Sequence, residues 1–535
     1  TTANDNTAIG FNSLTTNSTG ASNTAVGSNA LASATTASSN TAVGRAALVL
    51  NTTGTNNVAV GTYALDANTT GSYNTAVGTE ALTANTTGQY NTAFGQSALQ
   101  DNVTGGNNTA LGRNSLRDNV GDNNTSIGMN AMERNTSGVS NTAIGQAALF
   151  ANTTGDYNTA VGRLALDHNT TADNNTAVGF SALTENTTGS ENSAVGRNCL
   201  DANTTGAYNT AIGSGSLSAN TTANNNTGLG YLALNANTTG SENTAVGSYA
   251  LDANTEGLYN TAVGHDALGK NTTGDRNCAF GFNALDDNTT ASYNTAFGMN
   301  GLSGNTTGDE NTAVGYNALG TNTTGSNSVA VGVQALEVNT TGSGNTAIGH
   351  RALQDTTTGT DNVCVGREAG RDVTTGDNNL LLGKGAGLSN SPCGTIDTHS
   401  NVVCLGDNNI AGLYCKVSTI QTSDIRDKTD ITDFKHGLSW VEKLRPITYK
   451  WDMRSKYEGG VPDGSKKEEK LNLGFIAQEE LEIEKEHGFA NDKNDTLLVN
   501  ENADGNYGMH YDRLIPILVN AIKELSTKVT ALEAA

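Results

Sequence analysis

Apolar and polar positions recur along this chain with a fixed period of 17 residues, in the form N-T-A-V-G-x-x-A-L-x-x-N-T-T-G-x-x, from Asn6 to about Gly406. Copies begin at Asn6, Asn23, Asn40, Asn57, Asn74, Asn91 and Asn108; one short unit leads to Asn124, and strict 17-residue steps run from Asn141 to Asn379. A last copy, N-V-V-C-L-G, follows a six-residue insertion around Pro392, giving 24 coils. Fixed-period units that cannot bury an apolar face alone stack on their neighbours, so the pattern predicts a parallel β-solenoid, a β-roll or β-helix. N-T-A-V-G reads as one short strand per coil closed by Gly, and the Gly of N-T-T-G is expected at a turn position needing positive φ. Adjacent Ala and Leu cannot both point inward from a flat strand, so x-x-A-L-x-x-N is left between strand and a single helical turn. Asn at two fixed positions per coil should stack into side-chain ladders. At ~4.8 Å per coil the array would run roughly 110 Å.

The constant apolar positions per coil are few: the Ala and Val of the strand and the Ala-Leu pair. A core that thin suggests several chains sharing one interior, and a parallel trimer is expected. Only 36% of the 535 residues are hydrophobic and 5% aromatic, which fits a thin stacked core. Charge then marks a boundary: residues 1 to 422 hold 13 Lys+Arg and 30 Asp+Glu, whereas residues 423 to 535 hold 16 and 22. Both Trp and three of the four Pro also fall in the second part. The reading is a solenoid over 1-406, a connector over 407-422 and a different domain over 423-535. A net charge of −23 argues against nucleic acid as partner. No apolar run reaches the ~18 residues of a membrane span, so no membrane insertion is expected. The chain opens in mid-coil, T-T-A-N-D before Asn6 matching T-T-A-D-N before Asn175, so an attachment region is expected upstream.

Six cysteines show no C-x-x-C or metal-ligand spacing, and neither a metal nor a cofactor is expected. Cys199, Cys278 and Cys364 occupy slots held by Ala or Thr in other coils and read as small residues in the stack. Pairing within the group Cys393, Cys404 and Cys415 is given little weight.

Downstream come S-D-I-R-D-K-T-D-I (Ser423 to Ile431), L-R-P-I-T-Y-K-W (Leu444 to Trp451), G-F-I-A-Q-E (Gly474 to Glu479) and Y-D-R-L-I-P-I-L-V-N-A-I-K-E-L (Tyr511 to Leu525). Together, in this order, they resemble the self-cleaving intramolecular chaperone domain at the C-terminus of phage endosialidases and many tail fibres. The resemblance implies a small α+β domain that trimerises, sets the upstream β-fibre in register and cuts itself off before the Ser of S-D-x-R, using a Lys five residues later. Carried onto this chain, the bond is Thr422-Ser423 and the catalytic pair is Ser423 and Lys428. Asp427 stands where that family often has Leu, and its carboxylate would hold Lys428 charged. Asp424 and Arg426 either hold the loop or are solvated.

A Ser hydroxyl is a poor nucleophile at neutral pH, and Lys activates it only with a depressed pKa. Five residues of separation put the pair on opposite faces of a strand. A bend or a neighbouring subunit must then join them. The last segment reads as a helix with Pro516 in its first turn, and Leu518, Ile522, Leu525, Val529 and Leu532 fall at coiled-coil spacing, against the alternative of a helix packed on its own domain. Trp440, Trp451, Phe475 and Ile476 are expected in the core.

The strand motif is also similar to N-S-x-A-x-G of trimeric autotransporter adhesin heads, which form left-handed β-rolls of shorter repeat. These resemblances favour a structural and adhesive function: the shaft of a homotrimeric phage tail or surface fibre, assembled in host cytoplasm and carried on the virion. Its expected partners are a host cell-surface glycan or protein receptor and a virion attachment protein reached through the upstream region. A cellular surface adhesin, placed on an extracellular surface, is the alternative. A glycan-depolymerising tailspike would need paired carboxylates in a cleft, and no coil stands out for clustered acids. Ice binding disagrees with adjacent Thr residues, which do not line one face. Tyr73, Tyr90, Tyr157, Tyr208, Tyr259 and Tyr293 end their repeats and either present rings to sugars or pack the turn.

Overall fold

The computed structural model describes residues 3–410, 429, 431–454, 457, 461–492, 495–501 and 507–535. They fall into two compact units, divided between Asn408 and Asn409. The first unit is the solenoid, a mainly β fold as the repeat predicts. It has 24 three-residue strands, β1 (Thr7–Ile9) to β24 (Val403–Leu405), one per coil. Each strand pairs in parallel with the next and in exact repeat register, Thr159 with Thr176, Ala160 with Ala177 and Val161 with Val178.

Within a strand only the central residue points inward. Ala160 and Ala177 are fully buried, while the flanking Thr and Val are partly exposed, as period-two alternation requires. The Val counted above as core therefore lies on the outer face. The rest of the interior comes from the Ala-Leu pair, both members of which are buried. Neither a flat strand nor a helical turn achieves this. In the tenth coil Leu164 (φ 59°) and Leu166 (φ 53°) are left-handed on either side of Ala165, and the same alternation recurs along the array. Each such residue is unfavourable by itself. Bonds between coils hold it in place, Leu166 N–H donating to Ala182 O at 3.0 Å and Leu164 N–H to Gln146 O at 3.1 Å.

The two Gly columns differ in cause. Gly27 and its equivalents have φ near +139°, and a Cβ there would lie 2.4 Å from Gly44 O of the next coil. The Gly of N-T-T-G is not at positive φ, contrary to expectation. A Cβ on Gly71 would instead come within 2.4 Å of Asn68 Oδ1 and 2.5 Å of Gly88 O, so close approach selects a small residue. Through Gly376 the chain places only Gly or Ala in this column, Ala37, Ala172, Ala223 and Ala291 among them.

Both Asn columns form ladders. Asn158 is completely buried; its N–H donates to Asn141 Oδ1 (2.8 Å), its own Oδ1 accepts the N–H of Asn175 (3.0 Å), and its Nδ2 donates to Ala172 O (2.8 Å). In the second column Asn169 Nδ2 reaches Asn152 Oδ1 at 2.9 Å. The columns meet at the turn carbonyl: Gly155 O accepts Nδ2 of both Asn141 (2.8 Å) and Asn152 (2.9 Å). Buried backbone groups that a side chain would have left unpaired are thereby satisfied. A single chain thus closes its own interior, and the thin apolar core does not require one shared between chains. In the last coil Val402, not Asn401, occupies the ladder slot; its N–H still reaches Asn379 Oδ1 at 3.0 Å. Cys393 and Cys404 are disulfide-bonded with Cα atoms 6.0 Å apart, against the low weight given to pairing there. Cys199 and Cys364 are buried free thiols in the stack.

The second unit contains helix α1 (Leu438–Val441), strand β25 (Ile447–Tyr449) antiparallel to β26 (Asn472–Gly474), helix α2 (Ala477–Glu486), strand β27 (Val499–Glu501) antiparallel to β28 (Tyr507–Met509), and helix α3 (Leu514–Glu533). Its core gathers Trp440, Leu498, Leu514 and Ile517, with Phe475 partly buried against it. Trp451, expected in the core, is 46% exposed. Among the described residues no helix is long and apolar enough to cross a membrane.

The first ladder weakens at one rung inside the array. Ser328 replaces Asn, and its shorter side chain accepts the N–H of Asn345 at 3.3 Å. Ser328→Asn should raise the denaturation midpoint of the solenoid by the equivalent of about 1 kcal/mol. Asn158→Ala, which leaves the N–H of Asn175 buried without an acceptor, should lower it by about 2 kcal/mol. Circular dichroism through a guanidinium titration measures both; equal midpoints for the two variants would contradict a structural role for the ladder.

Candidate functional site

The sequence points to the start of the second unit. Thr422, Ser423, Asp424, Arg426, Asp427 and Lys428 all lie outside the described residues. What the structure does show is the frame into which that segment runs. Phe434 follows Lys428 by six residues in sequence. Phe434 is fixed: its carbonyl accepts Asn520 Nδ2 from α3 at 2.6 Å, and its ring meets Trp440 and Phe489 at centroid distances of 5.9 and 6.0 Å.

Gly437 then lets the chain touch α3 directly. A Cβ at this position would sit 2.5 Å from Ala521 N, so the contact is backbone against backbone. One residue on, Leu438 N–H donates to Glu524 Oε2 of α3 at 3.0 Å and gives the first turn of α1 an acceptor. The segment just after the candidate pair is therefore latched to the terminal helix by three neighbouring contacts.

Beneath the latch, α2 presents Glu480 and Glu484 one turn apart on its buried face. Glu480 accepts the indole N–H of Trp440 at 2.8 Å. Burial pushes its carboxyl pKa upward; the Trp440 bond opposes this, and the neighbouring Glu484 charge adds to it. Glu484, wholly buried, accepts three consecutive backbone N–H groups, from Leu497 (2.9 Å), Leu498 (2.5 Å) and Val499 (3.0 Å). It is the acceptor that shapes the entry to β27. His487 stacks on Trp440 with centroids 4.6 Å apart, and its Nδ1 donates to Ile483 O at 2.8 Å, leaving Nε2 toward Ser439 Oγ at 3.4 Å. His436 meets the same His487 ring edge-on at 5.0 Å. Sequence reading had missed the two Glu and the two His. The signal available for Glu480 and Glu484 was their four-residue spacing inside an otherwise solvated acidic run, which gave no sign that both are buried.

The terminal helix divides into two faces. Leu514, Ile517 and Ala521 are buried in their own unit. Leu518, Ile522, Leu525, Val529 and Leu532, the predicted seam, are 42 to 78% exposed. The helix thus packs on its own unit through one face, and the face with the coiled-coil spacing has no cover among the described residues.

Residues 423–489 match the family described as the chaperone of endosialidase. The match begins at Ser423 and takes in three of the four motifs read from the sequence; Y-D-R-L-I-P lies beyond it. No curated protein and no solved structure matches the chain.

Glu484→Ala would strand three N–H groups, two of them buried, and should cost about 3 kcal/mol or more, enough to unfold a unit this small. Glu480→Gln keeps an acceptor for Trp440 and removes a buried charge. Because the folded pKa of Glu480 lies above its unfolded value, its charge weakens the fold as pH rises above about 4.5. Glu480→Gln should therefore melt at or above the native temperature at pH 7.5, with the gain fading toward pH 4.5. Near-UV dichroism of Trp440 reports both; a stable Glu484→Ala variant would refute the assigned role.

Proposed function

We propose that the chain is the shaft of a homotrimeric phage fibre, and that residues 423–535 form the clamp that brings three copies together in phase. The observation that carries this reading is the pairing of a repeat array with a region similar to the chaperone of endosialidase. A stack of near-identical 17-residue coils specifies register poorly, since a slip by one coil loses contacts only at the ends. A domain that trimerises beside such an array removes the ambiguity. The uncovered seam of α3 supplies a surface for that step, with apolar residues at alternating spacings of four and three.

In the proposed clamp the Ser423 hydroxyl gives its proton to Lys428 and attacks the carbonyl carbon of Thr422. The C–N bond breaks as the Ser423 nitrogen takes a proton, leaving an ester on Ser423 Oγ. Water hydrolyses that ester, freeing a Thr422 carboxylate and an amino-terminal Ser423. The chain that follows this segment is latched through Phe434, Gly437 and Leu438 onto α3, the helix that bears the seam, and the proposed coupling of cleavage to assembly runs through that latch. Asp427 opposes the reaction by holding Lys428 protonated.

In this reading the finished shaft is carried on the virion after assembly in host cytoplasm. It meets a host cell-surface glycan or protein through outer positions such as Tyr73 and Tyr90, exposed rings stacked at 5.0 Å. The second reading is a surface adhesin with the same clamp. The Cys393–Cys404 bond suits the oxidising exterior in which such a protein works.

A denaturing gel of freshly expressed chain tests the clamp. Native sequence should yield a fragment of residues 423–535. Ser423→Ala should abolish it, Lys428→Ala should nearly do so, and Asp427→Leu should accelerate its appearance. Persistence of the fragment in Ser423→Ala would remove Ser423 from the chemistry.

A further inference from the structure

The strands carry a second regularity, on their outer face. The third strand residue is apolar in all 24 coils: Val, Ile, Leu or Phe at every rung from Ile9 to Leu405. It points outward, with exposures such as 38% at Ile144, 53% at Phe94 and 56% at Phe297. The first strand residue, on the same face, is Thr, Ser, Val, Leu or Cys throughout and never charged. Two residues past the third position this discipline is gone. The site just after the strand-closing Gly holds Arg45, Thr62, Gln96, Arg163, His265 and Lys384 in different coils. In a chain with net charge −23, one face of the solenoid has thus been kept free of charge along its whole length.

The size of this face is that of an interface. Twenty-four rungs at about 4.8 Å, with columns about 7 Å apart, make a strip on the order of 800 Å², which is about what one partner buries in a stable association. About half of this strip, on the order of 400 Å², is an unbroken apolar column, a size at which exposed patches are often interaction sites. An ordinary globular partner would cover only part of so long and narrow a strip. A second copy of the same array matches its length, its rung spacing and its lack of charge. The bulkier rungs fix the phase as well, because Phe280 and Phe297, stacked at 5.1 Å, meet their equivalents only when parallel copies are level.

We propose that this Thr/Val face is the seam along which copies of the shaft pack, parallel and rung against rung. The proposal rests on the trimeric reading above and specifies which surface of the solenoid is covered. Each solenoid keeps its own closed interior, and association uses its outside.

Cys278 provides a probe, because it occupies the first strand position and is partly exposed on the proposed seam, whereas Cys199 and Cys364 are buried. In full-length chain carrying Cys415→Ala, a short bis-maleimide should join copies through Cys278 and give covalent dimers on a denaturing gel. Val246→Cys in the neighbouring column should do the same in a Cys278→Ser background. Thr188→Cys, on an exposed turn away from the strand, should give at least fivefold less product in that background. Val263→Lys with Phe280→Lys should cut the Cys278 product at least fivefold while leaving the dichroism spectrum unchanged. A trimer by native mass measurement without cross-linking at either Cys278 or Val246→Cys would overturn the seam and leave the trimer intact. A monomer by mass would overturn both. Equal cross-linking at Thr188→Cys would show nonspecific contact and likewise reject the seam.

Discussion

The first Asn of each coil carries the constraint on which the solenoid depends. Its backbone N–H is buried and, except after Ser328, finds its acceptor in the Asn side chain one coil earlier, while its own carboxamide serves the coil that follows. Each coil is therefore hydrogen-bonded to both neighbours through a group that water cannot replace. The chain tolerates irregularity only where this relay survives. In the 16-residue unit the missing residue falls in the turn: Asn124 N–H still reaches Asn108 Oδ1 at 2.9 Å, and Asn119 Nδ2 reaches Gly121 O at 2.8 Å. The insertion near Pro392 is placed between the same relay groups and leaves the bond from Val402 N–H to Asn379 Oδ1 in place.

From that relay follows a separation between inside and outside. Amides, small residues and Leu fill the interior so completely that a single chain leaves no core position open. The proposed association would then use the outer surface, which is where the apolar third strand residue is found. The C-terminal unit shows the same division on a smaller scale, with α3 spending one face on its own core and leaving another bare. Both features suit a protein whose chains fold individually into closed stacks and are aligned by contacts between finished surfaces.

Much of this was legible in the sequence because the repeat prints each structural slot about two dozen times. Strand position, coil count and both Asn ladders follow from period and residue type. The direction of Val161 was also available from strand alternation, but counting it with Ala160 as core obscured the apolar outer column. Other features were hidden for physical reasons. Leu166 is a poor candidate for a left-handed conformation, and only bonds between coils stabilise it there. Gly71 is small because another coil approaches it, which local turn rules do not reveal. In the second unit, burial of Glu480 and Glu484 depends on contacts from Trp440 and from β27, distant in sequence. The candidate pair Ser423 and Lys428 was legible only through resemblance, and the family match now covers that stretch without describing its geometry.

Native-state hydrogen exchange of the full chain tests the relay most directly. The account predicts that backbone amides donating to Asn Oδ1, such as those of Asn74, Asn158, Asn243 and Asn311, exchange only through opening of the stack and share one high level of protection along the array. Exchange of these amides at the rate of exposed peptide groups, while the neighbouring strand amides stay protected, would contradict it.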